Sequence, residues 1–212
     1  MEYIKIKNAE DIIKKSNYLV TNPKNFKNKW KDVFKNNNPI CIEIGMGRGD
    51  FIIDMAKTYP NKNFIGIEIN ESQMVNAVNN LNNKNLPNLK LICMDATYLD
   101  TVFGKEIDII YLTFPEPWPK KIDERKRLTH PVYLKLYDKI FKKKKHIIVK
   151  TDNKGYIARS IEYLSSYWYT FKRVSMDLHH DELQIPNIMT NYEKQYFKEG
   201  RPIYYIDAIY ED

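Results

Sequence analysis

The chain has 212 residues, 43% hydrophobic, 29% charged and 13% aromatic, with a net charge of +7, which fits one soluble globular domain with a basic surface. No apolar run is long enough to span a bilayer, and Met1 to Lys7 lacks the apolar core and small-residue cleavage site of a secretion signal. Two cysteines, Cys41 and Cys93, sit in apolar runs and read as reduced core residues of a cytoplasmic protein.

Residues 1–35 carry nine Lys against four acids, and a basic, partly helical N-terminal extension is expected over 1–38, ending at the turn-forming Asn36-Asn37-Asn38-Pro39. From residue 39 to 212 strand and helix signals alternate. Ile40–Ile44 is a β-branched run that stops at Gly45, and Asp50 is expected to cap a helix with Phe51, Ile52, Met55 and Ala56 on one face. Phe64–Ile69 is the second strand, with Glu68 at its tip, and a helix follows from about Glu71 to Leu81. Leu89–Cys93 and Ile107–Leu112 are the third and fourth strands. Pro131 opens a helix ending near Phe141, and His146–Val149 is the fifth strand. A helix over about Tyr156–Ser166 precedes strands near Phe171–Ser175 and Ile203–Ile209, which a loop-rich stretch separates and which can close the sheet antiparallel. The pattern predicts an α/β Rossmann-like fold: a mainly parallel seven-stranded sheet, helices on both faces, and an antiparallel final strand.

The turn Glu43-Ile44-Gly45-Met46-Gly47-Arg48-Gly49 has the backbone freedom to receive a ligand closely. Its spacing is G-x-G-x-G, and Asp50 stands where a dinucleotide pyrophosphate would need a helix N-terminus free of negative charge. A cationic ligand fits better. Glu43 can face an ammonium group, Glu68 can accept from ribose hydroxyls, and Asp95, followed by Ala96, can accept from the exocyclic amine of adenine. Three carboxylates at successive strand ends match S-adenosylmethionine, although helix capping by Glu68 and Asp95 is the alternative. Met46 is expected to contribute mainly backbone.

After the fourth strand, Tyr111 to Lys121 holds three prolines in five positions, a stiff loop that presents Glu116 and Trp118. Here the sequence resembles the tRNA (guanine-N7-)-methyltransferase family. The resemblance runs from Ile40 to Tyr205. It rests on E-x-G-x-G-x-G, on Tyr111–Lys121, on Arg125-Lys126-Arg127-Leu128-Thr129-His130-Pro131, on Lys150-Thr151-Asp152-Asn153, and on Thr190-Asn191-Tyr192-Glu193 with Phe197, Gly200, Ile203 and Tyr204.

The resemblance implies that Glu43, Gly45, Gly47, Glu68, Asp95, Ala96 and Glu116 line the cofactor and reaction centre, with Glu116 and Asp152 as catalytic carboxylates. Lys120, Asp152, Thr190, Asn191, Tyr192 and Glu193 are implied in substrate binding, and Lys121, Arg125, Lys126 and Arg127 in RNA contact. The implied reaction is methylation of a variable-loop guanine, position 46, in tRNA, by a monomer or homodimer with no membrane partner. The family usually has Asp where this chain has Glu116, so the carboxylate stands about one carbon–carbon bond further out.

No metal site is expected, since the adjacent His179 and His180 point apart in most backbones. Cys93 has no preceding proline in a catalytic loop, which argues against covalent pyrimidine methylation. An adenine amino-group methyltransferase, a nicotinamide-dependent oxidoreductase and a non-catalytic RNA-binding protein remain as alternatives. The missing amide acceptor, the glycine spacing and the retained carboxylates argue against them in turn.

Overall fold

A computed structural model describes residues 5–181 and 187–211. Seven strands form one sheet: β1 (Ile40–Ile44), β2 (Asn63–Glu68), β3 (Leu89–Cys93), β4 (Ile107–Thr113), β5 (Lys145–Thr151), β6 (Thr170–Ser175) and β7 (Tyr204–Tyr210). Their order is β3-β2-β1-β4-β5-β7-β6. Strands β1 to β5 are mutually parallel, and β7 runs antiparallel to both β5 and β6. The order reverses at β1, so the C-terminal ends of β1, β2 and β4 converge on the crevice where open α/β sheets bind ligands.

Both faces are covered, which is why β1 and β2 are buried at every residue and read in sequence as continuous apolar runs. On one face Ile42, Ile44, Ile110 and Leu112 pack with Trp30, Phe103 and Tyr137. On the other, Cys41 and Tyr111 pack with Phe51, Met74 and Val75. Eight α-helices complete the described chain: α1 (Ala9–Lys14), α2 (Trp30–Phe34), α3 (Asp50–Thr58), α4 (Glu71–Asn80), α5 (Leu99–Val102), α6 (Pro131–Tyr137), α7 (Lys154–Ser166) and α8 (Asn191–Lys198). None is long and apolar enough to cross a membrane.

Several local expectations shift. The N-cap of α3 is Gly49, at φ 75°, and Asp50 is the first helical residue rather than the cap. Helix α6 ends at Tyr137, four residues before the expected Phe141. The stretch before β7 contains α8, capped by the Thr190 hydroxyl, which accepts from Glu193 N. Its polar composition hides it from a hydrophobic period, although T-x-x-E is a capping signature. Met46 is not backbone alone: its side chain is buried, and its Sδ lies 2.2 Å from where a Cβ on Gly66 would stand. Gly66 in the middle of β2 is therefore what lets a large residue occupy the glycine turn.

The basic N-terminal segment is docked onto the sheet. Leu19 bridges Leu91 in parallel, with Leu91 N donating to Tyr18 O and Val20 N to Leu91 O, each at 2.9 Å, so the segment lies along the outer edge of β3. Trp30 is completely buried and its Nε1 donates to Val102 O at 3.0 Å. The Glu106 carboxylate accepts from the backbone N–H groups of Asn28, Trp30 and Gly104. Trp30→Ala is expected to cost about 3–5 kcal/mol. Urea unfolding checks this, and a loss below about 1 kcal/mol would show that the segment is peripheral to the fold.

Candidate active site

Glu43 lies near the end of β1 and is 1% exposed. The Thr113 hydroxyl on β4 donates to its Oε1, while its Oε2 is buried without a partner among the described residues. Burial pushes the Glu43 carboxyl up to about 8, against the opposing pull of the Thr113 hydrogen bond and the Lys150 charge. Immediately beyond it the chain turns through Gly45 at φ 76° and Gly47 at φ 55°. Nothing lies within 4 Å of a Cβ placed on either glycine, so the turn opens onto free space and needs glycine for its conformation. A buried, half-satisfied carboxylate beneath an open backbone cradle suits a compact cation that can donate hydrogen bonds.

Glu68, at the tip of β2 and 8% exposed, reaches across the turn. Its Oε2 accepts from Gly47 N at 2.9 Å and its Oε1 from Asn70 N at 2.8 Å. It thus fixes the cradle, and each oxygen keeps a lone pair for a further donor. Asp95 uses Oδ1 to cap the short turn Ala96–Tyr98, accepting from Thr97 N and Thr97 Oγ1 at 2.8 Å each. Capping and ligand binding, weighed as alternatives in the sequence, are compatible here because the other oxygen is left over. Ile69 escaped the sequence reading, which ran it into the second strand. Strand β2 ends at Glu68, and Ile69 is left 63% exposed beside it, an apolar surface next to a ribose-type acceptor.

The proline loop leaves β4 with Phe114 at φ 49° and re-enters regular structure after Trp118 at φ 43°. Both are large residues in the left-handed region, a conformation held only where surrounding contacts over-determine it. Phe114 N donates to Lys150 O at 2.7 Å, and its ring meets Tyr196 at 6.0 Å. Between the two strained residues Glu116 is exposed and makes no hydrogen bond or ion pair among the described residues. Asp152, just after β5, pairs with Arg201 Nη2 at 2.5 Å, and Arg201 stacks on Tyr196 at 4.1 Å.

Of the residues implied in RNA contact, Lys121 and Arg125 are exposed, as is Lys120. Lys126 pairs with Asp123 at 2.8 Å and lies over the Trp118 ring at 4.5 Å. Arg127 requires correction. It is 7% exposed and its guanidinium is engaged by Pro117 O, Trp118 O and Tyr163 Oη, so it is an internal strut rather than a surface cation.

Glu193 requires the same correction. It is fully buried, accepting from Lys150 Nζ at 2.6 Å and from Asn187 Nδ2, with His179 Nε2 at 3.2 Å. Thr190 caps α8, while Asn191 and Tyr192 are exposed in its first turn. Sequence reading gave Lys150 no role of its own. It is 2% exposed, stands one strand away from Thr113 in register, and donates also to Asn187 Oδ1 and Ile188 O. Burial lowers its pKa, and the Glu193 carboxylate opposes that shift. Among the described residues no group of His, Cys, Asp and Glu could hold a metal ion.

Comparison with known proteins supplies the family. A family model described as "Putative methyltransferase" matches residues 37–206. The curated tRNA (guanine-N(7)-)-methyltransferase of Listeria welshimeri is 43% identical over 193 residues, 91% of this chain and 90% of that protein. The chain belongs to the tRNA (guanine-N7-)-methyltransferase family. A second member, from Bacillus licheniformis, is 41% identical over 94% of both chains. Among solved structures, the 16S rRNA methyltransferase KamB superposes with a TM-score of 0.66 at 10% identity, over 87% of this chain and 94% of that one. At that identity the likeness speaks for the fold alone. For this family member, the alternatives of a nicotinamide-dependent oxidoreductase and an amino-group methyltransferase on adenine are set aside.

The raised pKa of Glu43 has a stability consequence with a definite sign. The folded state holds this proton above the pH at which the unfolded chain releases it, so the stability due to Glu43 is fully present below its ordinary value of 4.5. It is lost progressively as the pH rises towards about 8. Ligand-free Glu43→Gln should therefore lose less stability across that window than the wild type. Parallel urea-unfolding curves against pH for the two proteins would refute the assignment.

Proposed function

We infer that the chain transfers the methyl group of S-adenosylmethionine to N7 of a guanine in tRNA, at variable-loop position 46, in the cytoplasm. The observation that carries this reading is the buried Glu43 carboxylate, with one oxygen unsatisfied, under two left-handed glycines that open onto free space. Those residues fit the donor: Glu43 would take its ammonium group, Gly45 and Gly47 would let its chain pass, Glu68 would accept from the ribose, and Asp95 from the adenine amine. Ile69 and Ala96 would flank the purine ring. When bound, S-adenosylmethionine supplies an electrophilic methyl group on sulfonium.

Guanine N7 carries a lone pair and no proton, so attack in line with the methyl needs no general base, and the protein's contribution is position and electrostatics. Positive charge develops on the purine. Glu116, unpaired among the described residues on the stiff loop, would meet that charge and accept from the base's N1–H and N2–H donors. Asp152, engaged by Arg201, supports the wall of the site instead. The exposed Asn191 and Tyr192 border the acceptor base. Lys120, Lys121 and Arg125 meet tRNA phosphates, with Lys126 holding the face of Trp118.

Labelled-methyl transfer to unmodified tRNA, followed by nucleoside mass analysis, should find 7-methylguanosine. Methyl label on any other nucleoside would overturn the reading. Glu116→Ala should lower the rate about 100-fold, while Asp152→Ala should lower it less. Equal losses would return Asp152 to the reaction centre.

Ionisation of Glu43 on binding an ammonium group should release a proton. The calorimetric enthalpy of donor binding below about pH 8 then varies with the ionisation enthalpy of the buffer, and Glu43→Gln abolishes that dependence. A buffer-independent wild-type enthalpy would remove Glu43 from the donor site. Replacing Lys121 and Arg125 together by Ala should reduce the salt dependence of tRNA affinity by about two counterions. An unchanged slope would place the RNA elsewhere.

A further inference from the structure

Arg127 closes the proline loop on itself. Its Nε lies 3.2 Å from both Pro117 O and Trp118 O, and its Nη2 lies 2.9 Å from Trp118 O. Its Nη1 lies 3.2 Å from Tyr163 Oη on α7. One planar fork thus ties two carbonyls on the loop to a phenol on the helix behind it. A lysine could not reproduce this, since an ammonium group is a single point and not a fork.

The ground on which Arg127 stands is itself fixed. Tyr137 Oη donates to Leu128 O at 3.0 Å. Thr129 Oγ1 and Ser160 Oγ lie 2.9 Å apart in the interior, and the His130 ring meets the Tyr163 ring edge-on at 5.2 Å. Residues 127–130 are therefore clamped to α6 and α7, and Arg127 passes that rigidity to the loop.

What it holds is a strained residue. Trp118 sits at φ 43°, where a side chain other than glycine's is disfavoured, and its carbonyl is the one that receives two of the Arg127 bonds. Lys126 lies over the Trp118 ring at 4.5 Å. The opposite end of the same short segment, Phe114, is equally left-handed and is pinned to β5. Glu116 lies between these two fixed points. Its direction follows from how firmly both ends are held, and the chain beyond Phe114 and Trp118 would otherwise relax to φ below zero.

We propose that Arg127 is a positioning residue, whose guanidinium fixes Pro117 and Trp118 against α7 and so aims the Glu116 carboxylate at the methyl acceptor. This rests on the reading of the loop as part of a methyl-transfer centre. The staple also encloses Lys120, Lys121 and Arg125 between its ends, so the phosphate-binding side chains and the carboxylate move as one frame. A guanine delivered by its backbone phosphates then arrives in register with Glu116.

The test pairs turnover with a probe of the loop. In a Trp168→Phe background, acrylamide quenching reports the half-buried Trp118, because Trp30 is fully buried and the exposed Trp168 has been removed. Arg127→Met should raise that quenching and lower kcat at saturating tRNA about 100-fold, with the calorimetric affinity for S-adenosylmethionine unchanged. Arg127→Lys should recover only part of the rate, and Tyr163→Phe, which leaves the carbonyl bonds, should lose less than Arg127→Met. If Arg127→Met does not fold, Arg127→Lys and Tyr163→Phe carry the same comparison.

Unchanged quenching, or a loss confined to the KM for tRNA, would overturn the proposal. A wild type that binds S-adenosylmethionine and methylates no tRNA would instead remove the proposed function. The quenching comparison would still decide whether the staple exists.

Discussion

The organising constraint of this molecule is a carboxylate that the fold keeps out of water without fully satisfying it. Glu43 stands at the end of the central parallel strand, where both faces of the sheet are covered, and among the described residues only one of its oxygens has a partner. Burying such a group is unfavourable, and the surroundings answer in three ways. A hydroxyl from β4 binds one oxygen. A lysine on β5 places positive charge on the same side of the sheet. The carboxyl meets the remaining deficit by holding its proton to higher pH. The lysine needs a partner of its own, which is Glu193 on α8, so the late helix is tied to the first strand through two buried charges. Carboxylate, lysine and glutamate together bring the last third of the chain to the mouth of the crevice.

The architecture was legible because burial on both faces leaves an unmistakable trace. Ile40–Ile44, Phe64–Ile67 and Ile107–Leu112 are apolar runs too short for buried helices and too continuous for half-exposed strands, and they alternate with amphipathic segments. The parallel order and the antiparallel closure follow from those elements and the handedness of crossovers. Less legible was whatever depends on neighbours distant in sequence. Helix α8 carries few apolar residues because its main anchor is the Glu193–Lys150 pair and not a greasy stripe. The N-terminal segment looked like a basic extension since its lysines outnumber its core residues. A few scattered apolar residues, Ala9, Ile13, Trp30 and Phe34, together with the bridge to β3, dock it.

The site divides along the same line. Glu43, Gly45, Gly47, Glu68 and Asp95 could be picked out because each occupies a strand end that the local pattern fixes, and backbone position alone brings them to one edge. Side chains that reach across the fold could not be. Arg127 and Glu193 are charged residues in motif-bearing stretches, and from sequence a charge reads as a contact to solvent or ligand. Both are internal. The arginine spends its donors on carbonyls nine and ten residues earlier, and the glutamate its oxygens on a lysine of β5. Nothing in a linear pattern distinguishes a guanidinium that faces a phosphate from one that faces a peptide oxygen. Lys150 is the converse case: it stands in a recognised motif just past an apolar run, and only its buried partners give it a role of its own.

Strand β7 lies between β5 and β6, although it follows both in the chain. Until β7 has been synthesised, β6 therefore has no neighbour in the sheet and β5 presents an open edge. The nascent polypeptide can assemble β1 to β5 with their helices on the ribosome, but the rest must wait. In that interval the exposed edge of β5, rich in Ile and Val, is a template for pairing with other chains. A chaperone that shields this edge during translation would act on the vulnerable intermediate, and the yield of native protein would be set by how quickly the final strand threads into its slot.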